Sequence, residues 1–512
     1  MTTEAENNKR IAKNTLLLYV RMLFMMLVGL YTSRVFLKTL GVQDYGIYNV
    51  VGGVIAMLGF LQASLGGASS RFITFELGKG DEDSLKRTFG NIKSIHWIFS
   101  GFILILGETI GLWFVLNKLN IPHGREFAAF WVYQFSVLSS VVAILSVPYN
   151  AAIIAHEKMT AFAYISIFEI VAKLFIVLFL IVIPFDKLIV FAFFSFLVQI
   201  SSRILYNVYS ARHFEETNVR LCLDKKLSKE IFSFAGWTMY GDLAVMGYTQ
   251  GLNIILNIFF GPVVNAARSI AVQVGGIVQQ FCWNFQLALN PQITKSYAQG
   301  NLNYMHKLII ISSKFCFFIV FFIGLPVIIE ADQLLHWWLG VVPNHAANFL
   351  KLILISSLFY TLANPIVIAV HATGKLKRFQ IVEGCMLLTI VPISYILLKY
   401  FSLPPEIVFI VHIVIEILTQ CVRLYIVLPM INMDYRPYLY NVVFRILPVV
   451  IVVPILPLLI YHRMPVNFYT FLFECVICVL CSTMAIFFFG CNKKERKFAI
   501  AKVSILYGRY VK

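Results

Sequence analysis

The chain has 512 residues, of which 59% are hydrophobic and only 13% charged, about half the charged share of a soluble globular domain. Apolar runs of 20 or more residues follow one another along it, the length one helix needs to cross a bilayer core and far longer than the alternating segments of a barrel, so a soluble domain and a membrane β-barrel are both excluded. The formal charge is +17, and its placement along the chain reads out orientation.

The sequence predicts an all-α polytopic membrane protein with about fourteen transmembrane helices, at roughly 14–37, 46–75, 89–117, 127–154, 160–184, 188–211, 229–260, 266–292, 307–329, 347–371, 379–399, 405–430, 438–460 and 466–491. The N-terminus is polar and basic (Lys9, Arg10, Lys13), and the run after it is too long for a signal core and lacks a cleavage pattern. The first span is therefore expected to serve as its own insertion signal. It reads TLLLYVRMLFMMLVGLYTSRVFL and carries Arg21 and Arg34, with no acidic residue between Glu6 and Asp44. An arginine near the bilayer centre costs at least about 2.5–3.5 kcal/mol on insertion scales, so each needs a partner: Glu108, Asp242 or Glu416 on another helix, or an anionic ligand. The planar guanidinium fork suits phosphate. Thirteen residues of straight helix separate the two arginines by about 20 Å, so one phosphate cannot engage both.

The second span adds Asn49, Gln62, Ser69, Ser70 and Arg71. In the fifth, Glu169 and Lys173 stand four apart in the favourable order for a self-neutralised pair. The seventh carries Asp242, Gln250, Asn253 and Asn257, and Asp242 is the candidate for cation coupling. The eighth begins near Arg268 and continues AVQVGGIVQQFCWNFQLALN. At about 100° per residue, Gln273, Gln280 and Asn284 fall on one line, and Gln279, Gln286 and Asn290 on another about 120° away. Lipid does not accommodate such an arc, so it is expected to face a hydrated cavity or another helix. The candidate substrate ligands are Arg21, Arg34, Arg71, Arg268, Gln280 and Asn284. His412 and Glu416 on the twelfth span are expected to form a buried pair. Cys475, Cys478 and Cys481 in the last span lack the fourth ligand of an iron–sulfur run and read as small apolar fillers.

With both termini cytoplasmic, the inside segments hold 26 of the 42 Lys and Arg and the outside loops hold 7. That asymmetry fixes the expected orientation. The halves also repeat weakly. PYNAAIIAHEKMTAF and PIVIAVHATGKLKRF match Pro148 with Pro365, Ala155 with Ala372, Lys158 with Lys375 and Phe162 with Phe379. Gly80 and Arg87 match Gly300 and Lys307, and Arg203 matches Arg423. Six spans per unit is an even number, so the expected architecture is two six-helix bundles related by a pseudo-two-fold axis along the membrane normal, plus two extra C-terminal helices. The expected domains are an N-terminal lobe (1–211), a cytoplasmic linker (212–228), a C-terminal lobe (229–430), and the last two helices with a basic tail (431–512).

The stretch SRVFLKTLGVQDYGIYNVV, with Arg34, Leu40, Gly41, Tyr45 and Gly46, resembles the junction of helices 1 and 2 in Wzx-type polysaccharide-lipid flippases. These belong to the multidrug/oligosaccharidyl-lipid/polysaccharide exporter superfamily. SLGGASSRFITFELGKGD, with Arg71, is similar to that family's small-residue stretch followed by Arg. The spacing from Arg34 to Leu40–Gly41 is longer here than in many members. The resemblance implies transport of an undecaprenyl-pyrophosphate-linked oligosaccharide across a bacterial cytoplasmic membrane by alternating access of two lobes around a cationic cavity. It implies membrane lipid and polysaccharide polymerase machinery as partners, for O-antigen, lipopolysaccharide or capsule synthesis, and no nucleic acid. A cation-coupled multidrug exporter of the same superfamily is the alternative, although its acidic N-terminal residues are replaced by arginine in the first span. A polymerase or ligase would carry a large catalytic outer loop, for which no connection is long enough. No catalytic constellation, phosphate-binding loop, metal-ligand spacing or cofactor motif stands out, so no enzyme activity, metal or cofactor is expected.

Overall fold

The computed structural model describes residues 4–56, 59–117, 121–339, 342–461, 463, 467–493, 495–497 and 500. The side chains of Arg34, Gly41, Tyr45, Gly46 and Asn49, and the basic tail beyond residue 500, lie outside the described part, and so do the expectations placed on them. The described chain is helical and contains no strand. Its long helices are α1 (Glu4–Ala56), α2 (Gly59–Lys79), α3 (Glu82–Asn117), α4 (Glu126–Ala155), α5 (Met159–Phe179), α6 (Lys187–His213) and α7 (Lys225–Phe260). They continue as α8 (Pro262–Ala298), α9 (Leu302–Ile329), α10 (Ala346–Thr373), α11 (Lys377–Phe401), α12 (Ile407–Met430), α13 (Tyr435–Tyr461) and α14 (Phe468–Gly490). Twelve of the described helices are long and apolar enough to cross a membrane, against fourteen expected. The two outside that set are α2, which carries Arg71, Glu76 and Lys79, and α8, whose amides lower its apolarity.

The expected break between the first two spans is not a loop, because the helical pattern continues from Glu4 to Ala56. The helix nevertheless turns. The rings of Phe36 and Tyr48 lie 5.6 Å apart and both pack on Phe191, whereas twelve residues of straight helix would separate their backbones by about 18 Å. The turn falls between Phe36 and Tyr48.

The chain divides into two compact units, residues 1–242 with 294–301, and residues 243–293 with 302–512. Each builds the same neighbourhood from matched helices. In the first unit α4 packs on α3, α2 and α6, and α1 packs on α5. In the second, α10 packs on α9 and α12, Gly275 of α8 abuts Ile353 of α10, and Gly247 and Gly251 of α7 abut Leu388 and Val391 of α11. The repeat extends to single backbone angles. Glu157 (φ 59°) and Gly374 (φ 73°) occupy the matched turn after Pro148 and Pro365, and Gly80 (φ 76°) matches Gly300 (φ 71°). Helices α13 and α14 lie beyond the repeat. In the second unit α14 packs on α9, where Phe318 meets Gly490, and Lys314 bonds Glu495 at 2.6 Å just past its end.

Segments that the charge count places on one side meet one another. In the first unit, Arg125 before α4 clamps Asp44 in the α1 turn and Asp186 before α6, the latter at 2.5 Å. All three belong to expected outer connections. On the expected inner side, the buried Glu157 carboxylate takes Arg10 at 2.8 Å and Lys295 at 2.9 Å, and its carbonyl accepts from Asn14. The connection from α6 to α7 lies along the start of α3: Asn91 donates to the Asp224 carbonyl at 3.1 Å and Lys93 to that of Val219 at 3.2 Å.

Candidate functional site

Each unit contains polar groups that lipid would not accept, and the two sets differ in chemistry. In the first unit the guanidinium of Arg21 lies over the ring of Phe162 on α5, 4.4 Å from its centroid. Among the described residues Arg21 makes no hydrogen bond and no ion pair, and its buried Nε has no acceptor. Glu169 and Tyr206 are close enough to interact electrostatically, but Glu169 is bonded to Lys173 at 2.8 Å, as their spacing predicts. Arg21, Glu169 and Lys173 together therefore leave one uncompensated positive charge. None of the three acids suggested by sequence serves Arg21. Glu108 accepts from Gln134 at 3.1 Å, Asp242 from Ser64 at 2.7 Å, and Glu416 from Arg423 at 2.6 Å.

Arg71 lies elsewhere in the first unit, amid Phe72, Phe75 and Phe234 at 4.5, 4.6 and 5.5 Å, with Glu76 and Glu230 nearby. Three ring faces surround its guanidinium, and although Glu76 is bonded to Lys79 at 3.0 Å, Glu230 is a further acid nearby, so it differs in kind from Arg21. Asp242 is held only by the Ser64 hydroxyl and has no ion pair among the described residues.

The second unit gathers the amides. Glycines 275 and 276 set the approach of α8 to α10. A Cβ on Gly275 would stand 2.7 Å from Ile353 Cγ2, while one on Gly276 would meet nothing within 4 Å. The first glycine brings the helices together and the second leaves space beside them. That space is a cavity of about 130 Å³ walled by Gln279, Gln280, Cys282, Trp283 and Gln286 of α8 and by Tyr360 and Thr361 of α10. Gln279 is fixed by donating to Ser357 at 2.9 Å. Gln286 is 3% exposed and has no hydrogen-bond partner among the described residues.

The remaining site residues stand apart from this cavity. Asn284 is buried and donates to the Gln280 carbonyl on its own helix at 2.8 Å, so it braces α8. Arg268 joins α8 to α7 by bonding the Asn253 side chain and the Thr249 carbonyl. The expected His412–Glu416 pair does not form. Arg423 takes Glu416 and Glu383, each at 2.6 Å, and His412 faces Ser356 and the Tyr248 ring. The guanidinium fork of Arg423 donates to both carboxylates at once, and Glu383 stands 40 residues away on another helix, where sequence spacing gives no sign of the pairing. Trp283 and Tyr360 were also missed, although Trp283 follows Gln280 by three residues and shares its face. Phe162 under Arg21 left no separate signal.

No protein-family model and no curated protein matches the chain. Solved structures do. The outward-facing conformation of a multidrug resistance MATE family transporter of the MOP superfamily is similar at TM-score 0.70 and 15% identity, over 83% of this chain and 96% of that one. A MOP superfamily transporter from Pyrococcus furiosus, described as having a binding pocket of reverse polarity, is similar at TM-score 0.68, 15% identity and the same coverage. The Vibrio cholerae MATE transporter VcmN in its bent form is similar at TM-score 0.68 and 16% identity, over 83% and 98%. At these identities the likeness establishes the fold.

Proposed function

We propose that the protein exports a lipid-linked oligosaccharide pyrophosphate, of the undecaprenyl type, from the inner to the outer leaflet of a bacterial cytoplasmic membrane by alternating access of its two units. The observation that carries this reading is Arg21, a guanidinium inside an apolar span with no hydrogen bond or ion pair among the described residues. A group that costs several kcal/mol to insert is explained by an anion that it meets during transport. The chain shares its fold with transporters solved in outward-facing, straight and bent conformations, which fits alternating access. No phosphate-binding loop stands out in the sequence, so the driving force is a gradient or the substrate itself, with Asp242 as the coupling carboxylate.

The test is binding by purified protein in detergent. Undecaprenyl pyrophosphate oligosaccharide is expected to bind saturably and more weakly as salt rises. Arg21→Ala is expected to weaken it about 10-fold or more, the scale of a charge-assisted bond, and Arg21→Lys to restore part of it. Normal lipid binding by Arg21→Ala at normal abundance would make the arginine structural. A second reading, cation-coupled drug export, is favoured by the Asp242 carboxylate and its lack of a cationic partner among the described residues. It requires cationic drugs to bind without lipid and Asp242→Asn to abolish that binding.

A further inference from the structure

We infer that the cavity between α8 and α10 is a subsite for one neutral sugar ring, the part of the cargo that carries no charge. This assignment rests on the export reading above and adds to it the group that the second unit recognises.

The lining decides the class of ligand. No side chain around the cavity is charged. A cationic drug would need a carboxylate there, and a pyrophosphate would need arginine or lysine. A lipid tail would not be met by three glutamines. What remains is a neutral molecule that both donates and accepts hydrogen bonds and also has an apolar face. Amides match vicinal hydroxyls because each carries donors and an acceptor side by side. Trp283 and Tyr360 supply broad, rigid faces on which the C–H face of a pyranose can lie.

Size and rigidity agree. A volume of about 130 Å³ is roughly ten times the minimum for one water, which suits a single ring with the rest of the cargo outside the open side. Gln279 is held in place by Ser357, so one donor–acceptor pair is preset. Gln286, nearly fully buried at the cavity wall and unpartnered among the described residues, is set to bond what enters. Gly276 is the residue whose missing side chain leaves the space open.

Calorimetry on the full-length protein in detergent tests the assignment. The probes are free neutral hexoses, 6-deoxyhexoses and N-acetylhexosamines, a quaternary ammonium dye, and sugar-free undecaprenyl pyrophosphate. At least one free sugar is expected to bind saturably in the millimolar range with little dependence on salt. Gly276→Leu, which fills the cavity from an unobstructed position, is expected to abolish that binding. Gln286→Leu, which swaps the amide at the cavity wall for an apolar group of similar size, is expected to weaken it about 10-fold. The assignment is overturned if no sugar in the panel saturates, if Gly276→Leu binds sugar as the native protein does, or if the dye is the probe that Gly276→Leu displaces. The two readings fail separately. Sugar-free lipid that binds through Arg21 while no sugar binds removes the subsite and leaves export standing. Sugar lost in Gly276→Leu with no lipid binding removes the export reading and leaves a neutral-sugar site.

Discussion

Charged residues in these helices fall into two groups by whether their charge is answered. Arg423 belongs to the answered group. It is 3% exposed, and its guanidinium bonds both Glu383 and Glu416. Removing the cation would leave two buried carboxylates with no counter-charge, the situation that makes breaking a buried pair cost about 3–5 kcal/mol. Arg423→Leu is therefore expected to unfold at a markedly lower temperature in detergent and to accumulate poorly in membranes. Arg423→Lys keeps the charge but not the fork, and is expected to fall between. An unchanged melting temperature in Arg423→Leu would show that the triad does not stabilise the second unit. Arg21 belongs to the unanswered group, and its loss is expected to spare stability and reduce binding. The repeat aligns Arg203 with Arg423, yet Arg203 faces Trp97 at 5.9 Å. The matched arginines have thus diverged in role. Sequence could reveal the charge of each but not its partner, because the partners lie on other helices and come into range only through packing.

Helices in this chain meet closely where a glycine removes a side chain, and α8 is one of them. Gly275 lets it approach α10 so that Gln279 reaches Ser357. Gly275→Leu would drive its side chain into Ile353, and overpacking of this kind typically costs about 1–3 kcal/mol. The expected result is a lower melting temperature, with partial recovery in the Gly275→Leu, Ile353→Ala double variant. If the double variant is no better than the single one, the contact is not what limits the approach. Much at this scale was legible beforehand. The 3.6-residue period found the amide arc of α8, and three of its glutamines do share one cavity. The turn geometry at Glu157 was legible in principle too, since the repeat aligns it with Gly374 and glycine there signals a left-handed residue. The turn in α1 was harder. Its helical hydrogen bonding runs through the reversal, so the expected two-span boundary exists as a change of direction, not a loop.

The whole chain has to sit one way in a membrane, and three independent features agree on how its connections are sorted. The basic residues alternate in density from one connection to the next. The clamp of Arg125 on Asp44 and Asp186 joins sparse segments with sparse, and the grip of Arg10 and Lys295 on Glu157 joins dense with dense. Hydrogen bonds require the atoms to be on the same side, so the packing repeats the division that charge makes. Helices α4, α5 and α6, each long and apolar enough to cross a membrane, separate residue 123 from residue 222, and three crossings would put the two on opposite faces. His123 is fully exposed in the connection before α4, and Cys222 is an exposed thiol in the connection before α7. With a membrane-impermeant maleimide, the native protein in intact cells is expected to stay unlabelled at Cys222. It should label there only after permeabilisation, a signal that Cys222→Ser removes. His123→Cys should label in intact cells. Labelling of Cys222 from outside with position 123 protected would invert the orientation, and the basic connections would then face away from the cytoplasm. Labelling of both positions from one side would mean that one of the three intervening helices does not cross, and the even number of spans per unit, on which the two-bundle symmetry depends, would be lost.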